Sequence, residues 1–208
     1  MSDAHTALAR LGSATVYEAA GRRGLIGVPL IRILPGSRAA GPAHIAACGQ
    51  GDNLMVHAVM EAVQPGDVLV LTMPQFEPVA MLGDLLATQA HARGAAAVLV
   101  DGAVRDVEEL AEIGLPVWAR AISIRGASKT AVGAINQPVT VGGQPIVPGD
   151  TVVLDADGAA VIPAADVERV TAAALDREER ERQKRELLRG GALSYDLDGL
   201  RDVVERGE

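Results

Sequence analysis

The stretch LGDLLATQAHARGAAAVLVDGAVRD, residues 82–106, decides how this chain is read. Gly83-Asp84 opens a helix expected over 84–93. Ala95 to Val100 reads as a short apolar strand that ends in Asp101-Gly102, and a charged turn, Arg105-Asp106, follows. At the start of such a helix the N–H groups of Leu85 and Leu86 have no intrahelical acceptor, which makes a ready anion cradle. Arg105 can grip a carboxylate, and Asp106 is a hard oxygen ligand for a divalent metal. Helix and strand are consecutive, so both ends can line one pocket. Cradle, arginine and metal carboxylate together point to a site for a small 2-oxo acid. Taken singly, Asp84 would read as a first-turn acid favouring the helix dipole, and Arg105-Asp106 as an exposed cap on a helix over 107–113.

Working outward, the middle of the chain alternates strand and helix. Ala43 to Cys48 reads as a strand. Gly51-Asp52-Asn53 starts a helix to about Ala62, with Leu54, Ala58 and Val59 on one face. Pro65-Gly66-Asp67 is a turn and Val68 to Thr72 a strand. After 82–106 come a helix over 107–113 and a strand at Val117-Trp118-Ala119. This βαβα order predicts parallel pairing. Upstream, Ala4 to Arg10 and Thr15 to Arg22 are expected helices, the second capped by Ser13 or Thr15. Leu25 to Leu34 is a Pro-broken irregular segment. After Ser123 the pattern changes to short strands at Val132 to Ile135, Pro138 to Val141, Pro145 to Val147, Thr151 to Asp155 and Ala159 to Ile162. Gly142-Gly143 reads as a hairpin turn. From Pro163 the chain becomes helical, and it is highly charged after Asp176. The expectation is an α/β protein: a β/β/α sandwich with one more parallel and one more antiparallel sheet, and helices outside. It is read as one domain over 1–208, with 164–208 as a helical extension.

Composition narrows the function classes. Of 208 residues, 49% are hydrophobic but only 2% aromatic, so the core must be built from Ala, Val, Leu and Ile. A net charge of -8 argues against a nucleic-acid backbone as the main partner. The single cysteine, Cys48, cannot form an internal disulfide and is read as a small buried hydrophobe, which fits a reducing cytoplasm. The N-terminus carries no signal-like apolar run, and no stretch approaches the ~20 apolar residues a membrane span needs, so no membrane partner is expected. His5, His44, His57 and His91 lack ligand spacing. Lys129 follows a polar Gly-Ala-Ser loop, and no desolvated or cation-flanked pocket is evident to make it a Schiff-base former.

Asp84, twenty intervening residues and then Arg105-Asp106 resemble the signature of the 4-hydroxy-4-methyl-2-oxoglutarate aldolase family. That family also contains the RraA-like regulators of ribonuclease E activity, and its members were often misnamed as demethylmenaquinone methyltransferases. The likeness extends over Thr15-Val-Tyr-Glu-Ala-Ala-Gly21, Ala40-Gly41-Pro42-Ala43, Gly51-Asp52-Asn53-Leu54, Pro65-Gly66-Asp67-Val68, Gly142-Gly143 and Pro148-Gly149-Asp150. It implies a swivelling β/β/α fold like phosphohistidine domains. It implies that Gly83, Asp84 and the N–H groups of Leu85 and Leu86 bind the pyruvyl end of a substrate, with Arg105 as the substrate-binding arginine. Asp106 would be the carboxylate for magnesium (manganese as an alternative), held partly through waters. Glu18 would reach the pocket of a neighbouring subunit and help the metal's water shell, within a homotrimer or homohexamer. Glu181 is a weaker candidate in a face laced with i,i+4 pairs.

The expected activity is a divalent-metal-dependent lyase. It would cleave a 4-hydroxy-2-oxo acid, such as 4-hydroxy-4-methyl-2-oxoglutarate or 4-carboxy-4-hydroxy-2-oxoadipate, to pyruvate, with oxaloacetate decarboxylation as a related activity. Arg105, Asp84 and Glu18 are the catalytic candidates, and the breakdown of aromatic acids is the setting that the resemblance implies. The alternative is a non-catalytic regulator that binds ribonuclease E; the long C-terminal helix and tail look more like the aldolase branch. Methyl transfer is disfavoured, because no glycine-rich nucleotide loop follows the first strand.

Overall fold

The structure, a computed structural model, describes residues 2–207. In chain order the helices are α1 (Asp3–Leu11), α2 (Ser13–Ala19), α3 (Leu54–Val59), α4 (Asp84–Ala92), α5 (Val107–Ile113), α6 (Val167–Arg189), α7 (Ser194–Leu197) and α8 (Leu200–Arg206). The strands are β1 (Ile31–Arg32), β2 (Ala39–Ala47), β3 (Val68–Thr72), β4 (Ala80–Leu82), β5 (Ala97–Val104), β6 (Val117–Ile122), β7 (Ala134–Ile135), β8 (Val139–Val141), β9 (Gln144–Ile146), β10 (Thr151–Leu154) and β11 (Ala159–Ile162).

The main sheet runs β1-β6-β5-β3-β2-β10-β11, with β4 beside β5 and β7 beside β2. The βαβα half pairs in parallel, as expected: β2 with β3, β3 with β5, β5 with β6. The two sheets share one strand. Ala39 to Pro42 of β2 pairs antiparallel with β10, whereas Ala43 to Ala47 pairs parallel with β3. Pro42, which has no N–H to give, sits at that changeover. The sheet therefore curls back over itself.

Side-chain alternation at period two sorts the core into three layers. Leu69 and Leu71 of β3, with Val98 and Val100 of β5, lie under α3, α4 and α5. Val68, Val70 and Leu99 point the other way, into the space between the sheet halves, and meet Val152, Leu154 and Val161. Trp118, the one tryptophan, fills this middle layer, and its indole N–H donates to the Asp155 carbonyl at 2.7 Å. Val153, Ala160 and Ile162 face a third layer with Leu8, Val16 and Val170 of α1, α2 and α6. This is the expected β/β/α arrangement, with α6 as the additional C-terminal helix.

Several boundaries differ from the sequence reading. The strand expected to stop at Val100 runs on to Val104, because Asp101-Gly102 is buried inside β5 rather than forming a turn; Asp101 is satisfied there by Arg120 at 2.9 Å. The three-residue strand β4 was unread, being too short to show a period. Neither Ser13 nor Thr15 caps α2. Gly12 occupies the cap, and Ser13 gives its N–H and hydroxyl to Asp155 at 2.8 and 2.6 Å. Helix α3 is shorter than expected and buries Met55, Val56 and Val59 instead of Leu54 and Ala58. Gly142 and Gly143 do form the β8–β9 hairpin turn, both at positive φ, as a type I′ turn requires.

Candidate active site

The carboxyl ends of β4 and β5 lie side by side, and the chain leaves both for a helix: α4 after β4, α5 after β5. Ligands in α/β sheets gather at such strand ends. Arg105 and Asp106 form the exit from β5. The Arg105 N–H is tied to the Leu82 carbonyl at 3.1 Å, which fixes the turn against the start of α4. Asp106 adopts the left-handed conformation (φ 56, ψ 47) and begins α5. This single residue aims its carboxylate back at α4: Oδ2 accepts the Asp84 N–H at 3.2 Å and lies 3.3 Å from Arg105 Nε. Asp84 and Asp106, 22 positions apart in the sequence, are in direct contact.

Gly83 is what allows the approach. Its φ and ψ (−139, −170) are extended and open to any residue. A Cβ there, however, would collide with Asp106 Oδ2 and come within 3.1 Å of Arg105 Nε. In the first turn of α4, Asp106 takes the Asp84 N–H and Ala87 bonds back to Gly83. The N–H groups of Leu85 and Leu86 have no intrahelical acceptor. Arg105 is 49% and Asp106 32% exposed at the side chain, so both remain open to a ligand.

Gly83, Leu85, Leu86 and Arg105 share a cavity of about 130 Å³ with Asn53, His57, Ala80, Gly126, Ala127 and Lys129. The last six were not singled out as site residues. Lys129, read as following a polar loop with no desolvated pocket evident, is indeed exposed, but it lines the same cavity as Arg105. His57 is a surface helix residue, and it too borders the cavity. Asn53 gives its amide N–H to the Met81 carbonyl at 3.0 Å, which leaves its buried Oδ1 without a partner among the described residues. The phrase Gly51-Asp52-Asn53 was the available signal, but it read only as a helix start.

Asp52 assembles this wall. It is completely buried (0% exposed). Oδ1 accepts the Leu54 N–H at 2.7 Å. Oδ2 accepts the Ser128 hydroxyl, the Thr130 N–H and the Ala131 N–H at 2.7, 2.7 and 3.1 Å. Burial pushes the carboxyl pKa up, but these donors outweigh it and hold the group well below the usual carboxylate range. One side chain thus pins the Lys129 loop to the start of α3. Cys48 is buried as expected, and burial pushes its thiol up to about 11, leaving it inert.

Glu18 is not brought to this cavity within the chain. It lies on α2, which packs against α6 on the other side of the sheets, and its carboxylate faces Arg22 at 3.2 Å and Arg177 at 3.8 Å. Glu181 pairs with Arg177 and Arg185 in the helical face. Among the described residues no three His, Cys, Asp or Glu side chains converge as a metal cage. Neither Asp84 nor Asp106 lines the cavity itself, but both carboxylate residues stand beside it at Gly83. That fits magnesium, which is commonly bound through one or two carboxylates plus water and substrate oxygens. No helix among the described residues is long and apolar enough to cross a membrane.

Known proteins resemble this chain in sequence and in fold. A family model described as RraA-like, Aldolase/RraA, matches residues 9–161. A protein of Halalkalibacterium halodurans, provisionally named 4-hydroxy-4-methyl-2-oxoglutarate aldolase, is 36% identical over 166 residues, covering 80% of this chain and 77% of the relative. A Burkholderia mallei protein with the same provisional name is 35% identical, covering 77% of this chain and 92% of its own. Among solved structures, Streptomyces coelicolor RraAS2, described as an unusual member of the RNase ES inhibitor RraA protein family, superposes with a TM-score of 0.78. It is 32% identical, and the match covers 89% of this chain and 96% of RraAS2. Sequence and fold agree, and the chain belongs to the Aldolase/RraA family.

Proposed function

We propose that this protein is a divalent-metal-dependent lyase that cleaves a 4-hydroxy-2-oxo acid to pyruvate and a second carbonyl compound. The observation that carries the reading is the convergence of Arg105 and Asp106 on the Gly83–Leu86 helix start. The N–H groups of Leu85 and Leu86 would hold the substrate carboxylate, and Arg105 would neutralise the negative charge that grows on the 2-oxo oxygen as the enolate forms. Asp106, with water and substrate oxygens, would hold magnesium. Bound there, the metal supplies Lewis-acid polarisation of the 2-oxo group. Asp84 would orient a water that accepts the 4-hydroxyl proton. The C3–C4 bond then breaks, its electron pair forms the enolate, and protonation at C3 yields pyruvate. Asn53 Oδ1 and Lys129 offer an acceptor and a second cation at the cavity wall. Oxaloacetate decarboxylation passes through the same enolate and is expected as a related activity. We place the active form in a trimer or a stacked hexamer, with Glu18 entering a neighbour's pocket.

The test is pyruvate release from a panel of small 2-oxo acids, with and without chelator. EDTA should abolish turnover, and magnesium or manganese should restore it. Full activity in chelator, or in Asp106→Ala, would refute the metal role. The similarity to RraAS2 supports a second reading, a protein that docks on a ribonuclease and inhibits it. No pyruvate from any substrate, together with inhibition of ribonuclease E cleavage, would favour that reading instead.

A further inference from the structure

A larger cavity, of about 520 Å³, lies away from the candidate active site, between the loop after α2, the end of β11 and the start of α6. It abuts the third apolar layer through Ala20, Ile162 and Val170, whereas the candidate site abuts the first through Leu86. Three arginines line it, Arg22, Arg23 and Arg169, against one carboxylate, Asp166. In a chain of net charge -8 this is a local reversal of sign.

Asp166 is taken by Arg169 at 3.0 Å, and Arg22 shares Glu18 at 3.2 Å. Arg23 is anchored through Nε to the Ala20 carbonyl at 3.3 Å and forms no ion pair among the described residues. The 23-residue helix α6 begins at the same edge without a side-chain cap, so its positive dipole end adds to the potential. The loop that carries Arg22 and Arg23 is held in shape. Gly21, Arg22 and Gly24 all have positive φ. The Gly24 carbonyl accepts the Val161 N–H at 2.8 Å, so close that a Cβ on Gly24 would collide with the Val161 carbonyl. The floor is apolar, and Leu25 stands 55% exposed on the wall.

We propose that this cavity is a second ligand site that takes an organic anion with an apolar body. Arg23 and Arg169 grip the carboxylate or phosphate head, for which a planar guanidinium fork is suited. Leu25 and Pro163, both exposed at the cavity wall, cover the hydrocarbon or aromatic body. The cavity volume falls in the range of small-molecule sites. The cavity shares no lining residue with the Arg105 cavity, although Arg22 pairs with Glu18, which the proposed function sends to a neighbouring subunit.

Calorimetric titration of the full chain with benzoate and with benzyl phosphate tests it, and also distinguishes a carboxylate head from a phosphate one. Inorganic phosphate and benzyl alcohol serve as head-only and body-only probes. One of the aromatic anions should bind with a Kd below about 1 mM, at least about tenfold tighter than either fragment. Arg23→Gln should weaken it about tenfold or more, consistent with loss of a charge-assisted hydrogen bond. Arg169→Gln should weaken it likewise, because the second guanidinium of the grip is lost. Arg105→Ala should leave the affinity unchanged. No binding of either anion, equal binding of benzyl alcohol, or loss of binding in Arg105→Ala but not in Arg23→Gln would overturn the proposal.

Discussion

Removing the Asp52 carboxylate should loosen one wall of the candidate active site and cost measurable stability. In Asp52→Ala four donors lose their acceptor: the N–H groups of Leu54, Thr130 and Ala131, and the Ser128 hydroxyl. A charge-assisted hydrogen bond is worth roughly 1.5–3 kcal/mol, but four bonds to one group do not add. Ser128 and Thr130 lie in an exposed loop where water can replace part of the loss. The expected cost is therefore about 3–4 kcal/mol, the order of leaving two of these donors unsatisfied. For a chain of this size that is a fall in melting temperature of roughly 10 °C. Asp52→Asn should cost less, about 2–3 kcal/mol, because its oxygen can still serve Leu54 while its NH₂ meets donors.

The pH dependence has a definite sign. The folded carboxyl sits below its ordinary value. Its contribution is therefore fully present above the unfolded pKa of about 3.9 and is lost as the pH falls through the lower folded value. The wild-type advantage over Asp52→Asn in urea unfolding should be largest at neutral pH and should shrink below about pH 4. Amide exchange at 128–131 should speed up in both variants at neutral pH. A cost under about 1 kcal/mol for Asp52→Ala at pH 7 would refute the reasoning, since it would mean that these donors find water at no expense.

Three further outcomes probe the proposed chemistry. Gly83→Ala should fold normally, because its φ and ψ suit alanine, yet displace Arg105 and Asp106 and lower kcat/KM by about 100-fold; unaltered kinetics would show that the pair need not touch Gly83. Arg105→Ala should reduce kcat/KM by at least ~100-fold with little change in melting temperature, and Arg105→Lys should rescue it poorly because lysine lacks the planar fork; near-normal turnover in both would reduce the arginine to a cap. Mixing inactive Glu18→Ala with inactive Asp106→Ala subunits should restore partial activity if Glu18 completes a neighbour's site, and light scattering should find a closed oligomer. An active monomer would refute the shared-site arrangement.

The spacing of Gly83-Asp84 and Arg105-Asp106, the βαβα order and the switch to short Gly- and Pro-bounded strands were legible because they rest on local periodicity and turn chemistry. They carried the fold class and pointed to Gly83, Asp84, Arg105 and Asp106 as candidate site residues. Three things came only from tertiary structure. Asp101-Gly102 looks like a turn by residue type, but its burial opposite Arg120 keeps the strand going to Val104. Asn53, His57 and Lys129 reach the Arg105 cavity because α3 and the 126–131 loop are drawn together by Asp52, a contact between residues more than seventy positions apart that no local pattern encodes. Glu18 lies on the far side of the sheets from Arg105 in its own chain, since α2 must bury Val16 beneath α6. Periodicity is a property of neighbours along the chain and can be read from the chain. Which distant surfaces meet is settled by burial and by the satisfaction of buried polar groups, and these exist only once the sheet has curled and the layers have closed.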